Sequence, residues 1–210
     1  STSYDFYVRS ICGSGDTSLW AGPISFTTLC APDVAPYTES FDLAIPGCWS
    51  QTAVTGGPWT TTGTPDYGAS NVQDHTGNGG SFVWMDFSGT DEAVSLITNV
   101  VDVSALSTPY LEFYKFTNNV DDNSYNDLFV EAFDGTTWNL IDSIRVNSGG
   151  WALFGYDLTN FTYGASLVQV RFRAESGGST TDHYQDFVLD DVSFMEMPTC
   201  FVANNLMASN

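Results

Sequence analysis

The chain has 210 residues, a formal net charge of −20 from five basic side chains against 25 carboxylates, and 42% hydrophobic with 15% aromatic residues. That much apolar material speaks against a disordered acidic tail and is enough for one large all-β domain. A surface of this sign repels phosphate backbones and anionic lipid, which argues against nucleic acid or membrane surfaces as partners, and no run of about 18 apolar residues is present to span a bilayer.

In chain order, residues 4–11 alternate and are rich in β-formers, Gly13 to Asp16 supply a turn, and Ile24 to Thr28 form a second short strand. With Tyr4 near the start of the first strand and Trp20 after the turn, residues 1–28 resemble the last two strands of a fibronectin type III domain. Residues 29–37, with Pro32 and Pro36, read as a linker. From Thr38 onward, short β runs alternate with Gly, Asn, Asp and Thr clusters. The clearest are residues 80–87, 93–101, 110–117, 128–133, 138–146, 151–158, 167–174 and 187–195. Helical periodicity is lacking, and strands at this spacing favour an antiparallel β-sandwich, with a jelly roll over residues 38–197 as the expected architecture. Residues 198–210 read as the first strand of another fibronectin-like domain, so the sequence is expected to be a segment of a tandem array.

Three distant segments place carboxylates beside strand-forming residues: Ser40-Phe41-Asp42, Asp74-His75-Thr76-Gly77 and Leu189-Asp190-Asp191-Val192. Hard oxygen donors on loops that converge from both ends of the chain suit Ca²⁺, which takes six to eight oxygens in irregular geometry. Asp42, Asp74 and either Asp190 or Asp191 are the candidate charged ligands, with backbone carbonyls near His75 completing the shell. The bland alternative makes Asp74 a turn cap and Asp190 and Asp191 solvated strand ends. A second acidic group, Asp121, Asp122 and Asp127, lacks EF-hand spacing and reads as a solvated loop. With only His75 and His183 available, a hydrolytic triad has little material, and the chain is read as not an enzyme. Trp138, just after a Gly-Thr-Thr turn, and Tyr67, Tyr125 and Tyr184, in polar loops, are candidates for an exposed aromatic platform on which sugar C–H faces stack.

The ordered set from Ser40-Phe41-Asp42 and Gly47-Cys48-Trp49 through Trp59, Asp74 to Trp84, Leu111 to Tyr114 and Leu128 to Glu131 to Phe187-Val188-Leu189-Asp190-Asp191-Val192 resembles the MAM domain. That family is named for meprin, a frog neuronal protein and receptor tyrosine phosphatases. The resemblance covers roughly residues 30–197. It implies a two-sheet jelly roll, a non-catalytic role in adhesion or recognition, often a bound calcium, and aromatic core positions at Trp49, Trp59 and Trp151. It also implies a disulfide between Cys30 and Cys48, and leaves Cys12 and Cys200 to pair outside this segment. The mixture with fibronectin-like strands resembles surface adhesins and secreted polysaccharide-degrading enzymes of Bacteroidetes-type bacteria. The expected function is therefore an extracellular, calcium-stabilised module, secreted or at the cell surface, that binds glycan or protein. The alternative is a structural or self-assembling repeat that links neighbouring modules.

Overall fold

The computed structural model describes residues 2–66, 69–77, 79–88, 92–117, 126–145, 149–178 and 185–200. Contacts divide the chain into two units, residues 1–32 and 33–210. The strands of the first unit are β1 (Ser3–Val8), β2 (Ile11–Gly13), β3 (Asp16–Thr17) and β4 (Ala21–Thr27). The single strand expected over residues 4–11 ends at Val8, and β2 pairs instead with β3 around the Gly15 turn. β1 pairs antiparallel with β4, so that Tyr4 meets Phe26 and Phe6 meets Ile24 on one face. Ser3–Thr27 and Asp5–Ser25 hydrogen bonds line the other. The apolar face of this two-stranded sheet is exposed.

In the second unit, β5 (Asp33–Val34), inside the segment expected as a linker, pairs parallel with β10 (Val101–Asp102), which also pairs with β15 (Leu167–Val168). Two five-stranded sheets form the sandwich. The first has the order β14 (Gly150–Asp157), β11 (Pro109–Thr117), β17 (Phe187–Glu196) and β6 (Tyr37–Glu39), with β8 (Val83–Met85) also on β17. The second has the order β13 (Trp138–Ile144), β12 (Asp127–Phe133), β16 (Val170–Glu175), β9 (Ala93–Ile97) and β7 (Ser50–Thr55). Every strand run expected from residue 80 onward contains a strand, and the fold is an antiparallel jelly-roll β-sandwich.

Side chains alternate across each strand because successive Cβ atoms point to opposite faces. Thus Leu111, Phe113, Lys115 and Thr117 of β11 are buried, while Glu112, Tyr114 and Phe116 between them are half-buried on the outer face. Val130, Leu128, Phe172 and Ala174 supply the facing layer, and Phe113 meets Phe172 edge to face at 4.9 Å across the sandwich. Each fully buried Leu or Phe in this layer contributes about 2 kcal/mol by leaving water. Trp49 and Trp59 belong to this core, but Trp151 does not. It packs half-buried in a smaller cluster with Ala69, Val72, Trp84 and Val188. That second cluster lies on the outer face of the first sheet, where the chain between β7 and β8 covers Val188 and Phe116.

Candidate functional site

The tertiary fold brings together all three acidic segments on the loop-covered side of the first sheet. β17 carries a bulge opposite Phe113, where its register shifts between the Glu112 and Tyr114 pairs, and Asp191 takes a positive φ of 50° there. A bulge re-aims side chains, and here Asp190 and Asp191 both engage His75. The Asp190 carboxyl accepts from the His75 amide at 3.0 Å and from the Asp191 amide at 2.8 Å. The His75 ring meets Asp191 through Nδ1 at 2.6 Å and stacks on Tyr114 with centroids 3.5 Å apart. Phe41, with φ 56°, turns Asp42 into the same region. The Ser81 amide donates to Asp42 at 3.2 Å and the Gly80 amide to Asp74 at 3.4 Å. Gly80 leaves room for the close approach: a Cβ there would lie 1.6 Å from Asp42 Oδ1 and 3.4 Å from Asp74 Cγ, and the Asp42 side chain would have to swing aside.

Asp190 is fully buried, and its pKa is pushed up to about 8, by burial first; the Asp191 charge and the hydrogen bond with Asp74 add to the rise, against the two amide donors. Two carboxyls in hydrogen-bond contact cannot both stay ionised without a proton or a cation between them. Among the described residues, no group of three or more His, Cys, Asp or Glu side chains stands ready to hold a metal ion. The donor set of Asp42, Asp74 and Asp190 is nevertheless all hard oxygen, which suits calcium in kind. Solvated strand ends, the bland alternative for Asp190 and Asp191, do not describe these residues: Asp190 is inaccessible and the Asp191 side chain is 14% exposed.

The same covered side holds a second buried acid. Asp186 accepts from the Asp66 amide at 2.9 Å and the Phe87 amide at 3.2 Å, and burial raises its pKa to about 7. Lys115 is also fully buried, its amine 4.3 Å from the Phe187 ring centroid, and burial lowers its pKa to about 7.

Trp138 lies on the opposite side of the sandwich, on the outer face of the second sheet. Register places Phe133 beside Trp138, Glu131 beside Arg171, and Phe129 beside Arg173. Arg171 holds Glu131 through two bonds of 2.7 and 3.1 Å, and Arg173 adds a third at 3.1 Å. The two guanidiniums lie over aromatic rings, Arg171 on Trp138 at 4.6 Å and Arg173 on Phe129 at 4.0 Å. Burial favours a raised pKa for Glu131, but hydrogen bonds and charge from both arginines outweigh it and hold the carboxyl low. At the end of the same face Arg145 pairs with Asp127. Asp127 is therefore a buried strand residue with a partner, which corrects its placement in a solvated loop.

Of the other expected platform residues, Tyr67, Tyr125 and Tyr184 lie outside the described residues, as do His183, Asp121 and Asp122. Cys30 and Cys48 are disulfide-bonded, and Cys12 and Cys200 are free. In the sequence, Phe129 and Glu131 stand out only within the Leu128 to Glu131 element of the resemblance, and Arg171 and Arg173 only within the run 167–174, with nothing to join them on one surface. Their period-two spacing was the available signal, since Phe129, Glu131 and Phe133 share one face of a strand and Arg171, Arg173 and Glu175 share one face of another.

No protein-family model matches the chain, and no curated protein matches it. The fold is similar to that of several solved domains. The K3 cleaved adhesin domain of Lys-gingipain from Porphyromonas gingivalis has a TM-score of 0.56 at 18% identity, over 77% of this chain and 98% of that one. The K1 cleaved adhesin domain of the same protein gives 0.55 at 18% identity with the same coverage. TmCBM61, solved in complex with β-1,4-galactotriose, gives 0.50 at 9% identity over 75% of this chain and 94% of that one.

Proposed function

We propose that the chain is a non-catalytic extracellular recognition module that binds glycan, with calcium holding the junction of its three acidic segments. The observation that carries the reading is the jelly-roll sandwich itself, with a similarity to two cleaved adhesin domains and to a module solved with a galactotriose. The titratable groups of the covered side support a structural role for that side. Asp186 and Asp190 each accept two backbone amides, and His75 is held between Asp191 and Tyr114.

Asp42, Asp74 and Asp190 would hold the calcium, with His75 and Asp191 fixing the loop beside it. A bound calcium would supply positive charge beside the Asp74 and Asp190 carboxyls and so tighten the junction. The chain's own residues do the rest: the β17 bulge aims Asp190, and Gly80 admits Asp42. On this reading the sandwich is a MAM-like module, residues 1–28 are the closing strands of a fibronectin type III domain, and neighbouring modules of one secreted or surface polypeptide flank it.

The experiment is binding of the full chain to a panel of polysaccharides, with calcium and then with a chelator, alongside thermal melts under both conditions. The expected result is saturable binding to at least one polymer and a melting temperature raised by calcium, by mass action on the folded state. A melting temperature indifferent to calcium would remove the ion from the reading, and silence across the panel would remove the glycan. The exposed apolar face of Tyr4, Phe6, Ile24 and Phe26 favours a second reading, a self-assembling structural repeat. Concentration-dependent association in light scattering, abolished by Phe6→Ser, would favour it.

A further inference from the structure

We propose that the outer face of the second sheet is the ligand platform and that it selects an uncharged polysaccharide chain. The inference rests on the glycan reading and adds a place and a ligand class to it.

The two outer faces of the sandwich differ in access. The chain between β7 and β8 packs Ala69, Val72 and Phe82 against Trp84, Val188, Phe116 and Trp151 and so covers the first sheet. On the second sheet, Leu140 is 57% exposed and the Arg145 side chain 63% exposed. Phe129, Phe133 and Trp138 share this outer face and are half-buried, like Tyr114, Phe116 and Trp151 on the first sheet, but beside them Leu140 and Arg145 stand open to solvent. The Phe133 and Trp138 rings are 5.3 Å apart. From Asp127 to Phe133 the face runs about 20 Å along the strand, the span of an extended chain rather than of a single sugar.

Charge decides the ligand class. Residues 33–210 contain four basic side chains, Lys115, Arg145, Arg171 and Arg173. Lys115 is inside the sandwich. The three arginines all lie on this face, and each is already bound to a carboxylate: Arg145 to Asp127, Arg171 and Arg173 to Glu131, and Arg173 also to Glu175. Three cations against three anions make the platform formally neutral on a chain of net charge −20. An anionic polymer would approach a surface of its own sign and find no uncompensated cation in the sandwich to offset the repulsion. A neutral, hydroxyl-rich chain meets no such barrier. It would lie along the stacked guanidiniums and the exposed Leu140 side chain, with Trp138 supporting Arg171 from beneath, and accept hydrogen bonds from the guanidinium N–H groups that Glu131 and Glu175 do not use. Glu131 fixes both guanidiniums before any ligand arrives, so little side-chain freedom remains to be lost on binding.

The test uses the full chain, Trp138→Ala and Leu140→Asp, in affinity electrophoresis and calorimetry. The neutral polymers are β-1,4-galactan and mixed-linkage β-glucan, and the acidic ones are polygalacturonate, alginate and chondroitin sulfate. Expected is saturable binding to a neutral polymer, changed less than about twofold between roughly 50 and roughly 500 mM NaCl, and no binding to the acidic set. Each substitution should weaken it by about tenfold with the melting transition retained. Leu140 is a surface side chain, so its variant reads the face even if Trp138→Ala unfolds. Undiminished neutral-polymer binding in a folded Leu140→Asp variant would overturn the platform and leave the glycan reading standing. Salt-sensitive binding to acidic polymers alone would overturn the selection. Silence across all five polymers would overturn the glycan reading and this inference with it.

Discussion

The two outer faces of the sandwich handle buried carboxylates in opposite ways. On the covered face, Asp186 and Asp190 are shut from water and each accepts two backbone amides, and burial pushes both toward the protonated form. On the open face, Glu131 is nearly as inaccessible, yet Arg171 and Arg173 keep it ionised. One face stores acids that a proton or a cation must neutralise; the other neutralises its own charge and remains exposed. The contrast teaches that burial alone does not set a carboxyl's state. The donors that reach it decide.

The opposed pH dependences offer the sharpest way to break this contrast. Asp186 has a folded pKa near 7, above its unfolded value, so its stabilisation is fully present below about pH 4 and is lost as pH rises toward about pH 7. Glu131 is depressed, so its contribution is present above its unfolded pKa and is lost as pH falls through the folded one. Asp186→Asn should therefore flatten the fall in melting temperature between about pH 4 and about pH 7. Glu131→Gln should flatten the acid limb and cost about 2 kcal/mol at neutral pH, because it strips the charge from under two guanidiniums. Parallel pH profiles for the two variants would abolish the distinction between the faces.

Next comes Gly80→Ala on the covered face. Its Cβ would fall on the Asp42 carboxylate, the far end of an exposed side chain, which must swing out of the junction and give up its bond with the Ser81 amide, at a cost of about 1 kcal/mol. A urea titration showing a loss below a few tenths of that would mean that the first acidic segment does not depend on the other two.

The smallest effect belongs to Arg145→Ala. Its side chain is 63% exposed, so the pair with Asp127 should contribute no more than about 0.5 kcal/mol in thermal melts at moderate salt. A larger loss would show that the arginine face is one coupled network.

Much of the fold was legible in the sequence because strand alternation is a local property. The runs from residue 80 onward each carry a strand, and their apolar positions form the core. The acidic junction was legible as a set of three segments, and those segments do meet. The role of each residue there was not. The bulge that aims Asp190 and Asp191 depends on the register of β17 against β11, which is fixed about 75 residues away along the chain. Asp127 was misplaced for the same reason, since its partner Arg145 sits just past the end of the next strand.

By itself, the sequence determined the all-β class, the positions of most strands, the strongly acidic balance and the residues that converge on the junction. Period-two patterning and turn chemistry act over a few residues, and charge is a sum. Only the tertiary structure decided that a long loop covers one sheet while the other stays open, that Lys115 is buried, and that Phe129, Glu131, Arg171 and Arg173 share one surface with Trp138. Those neighbours come from strands about 40 residues apart, and cross-strand contact is set by pairing register, which no local pattern encodes.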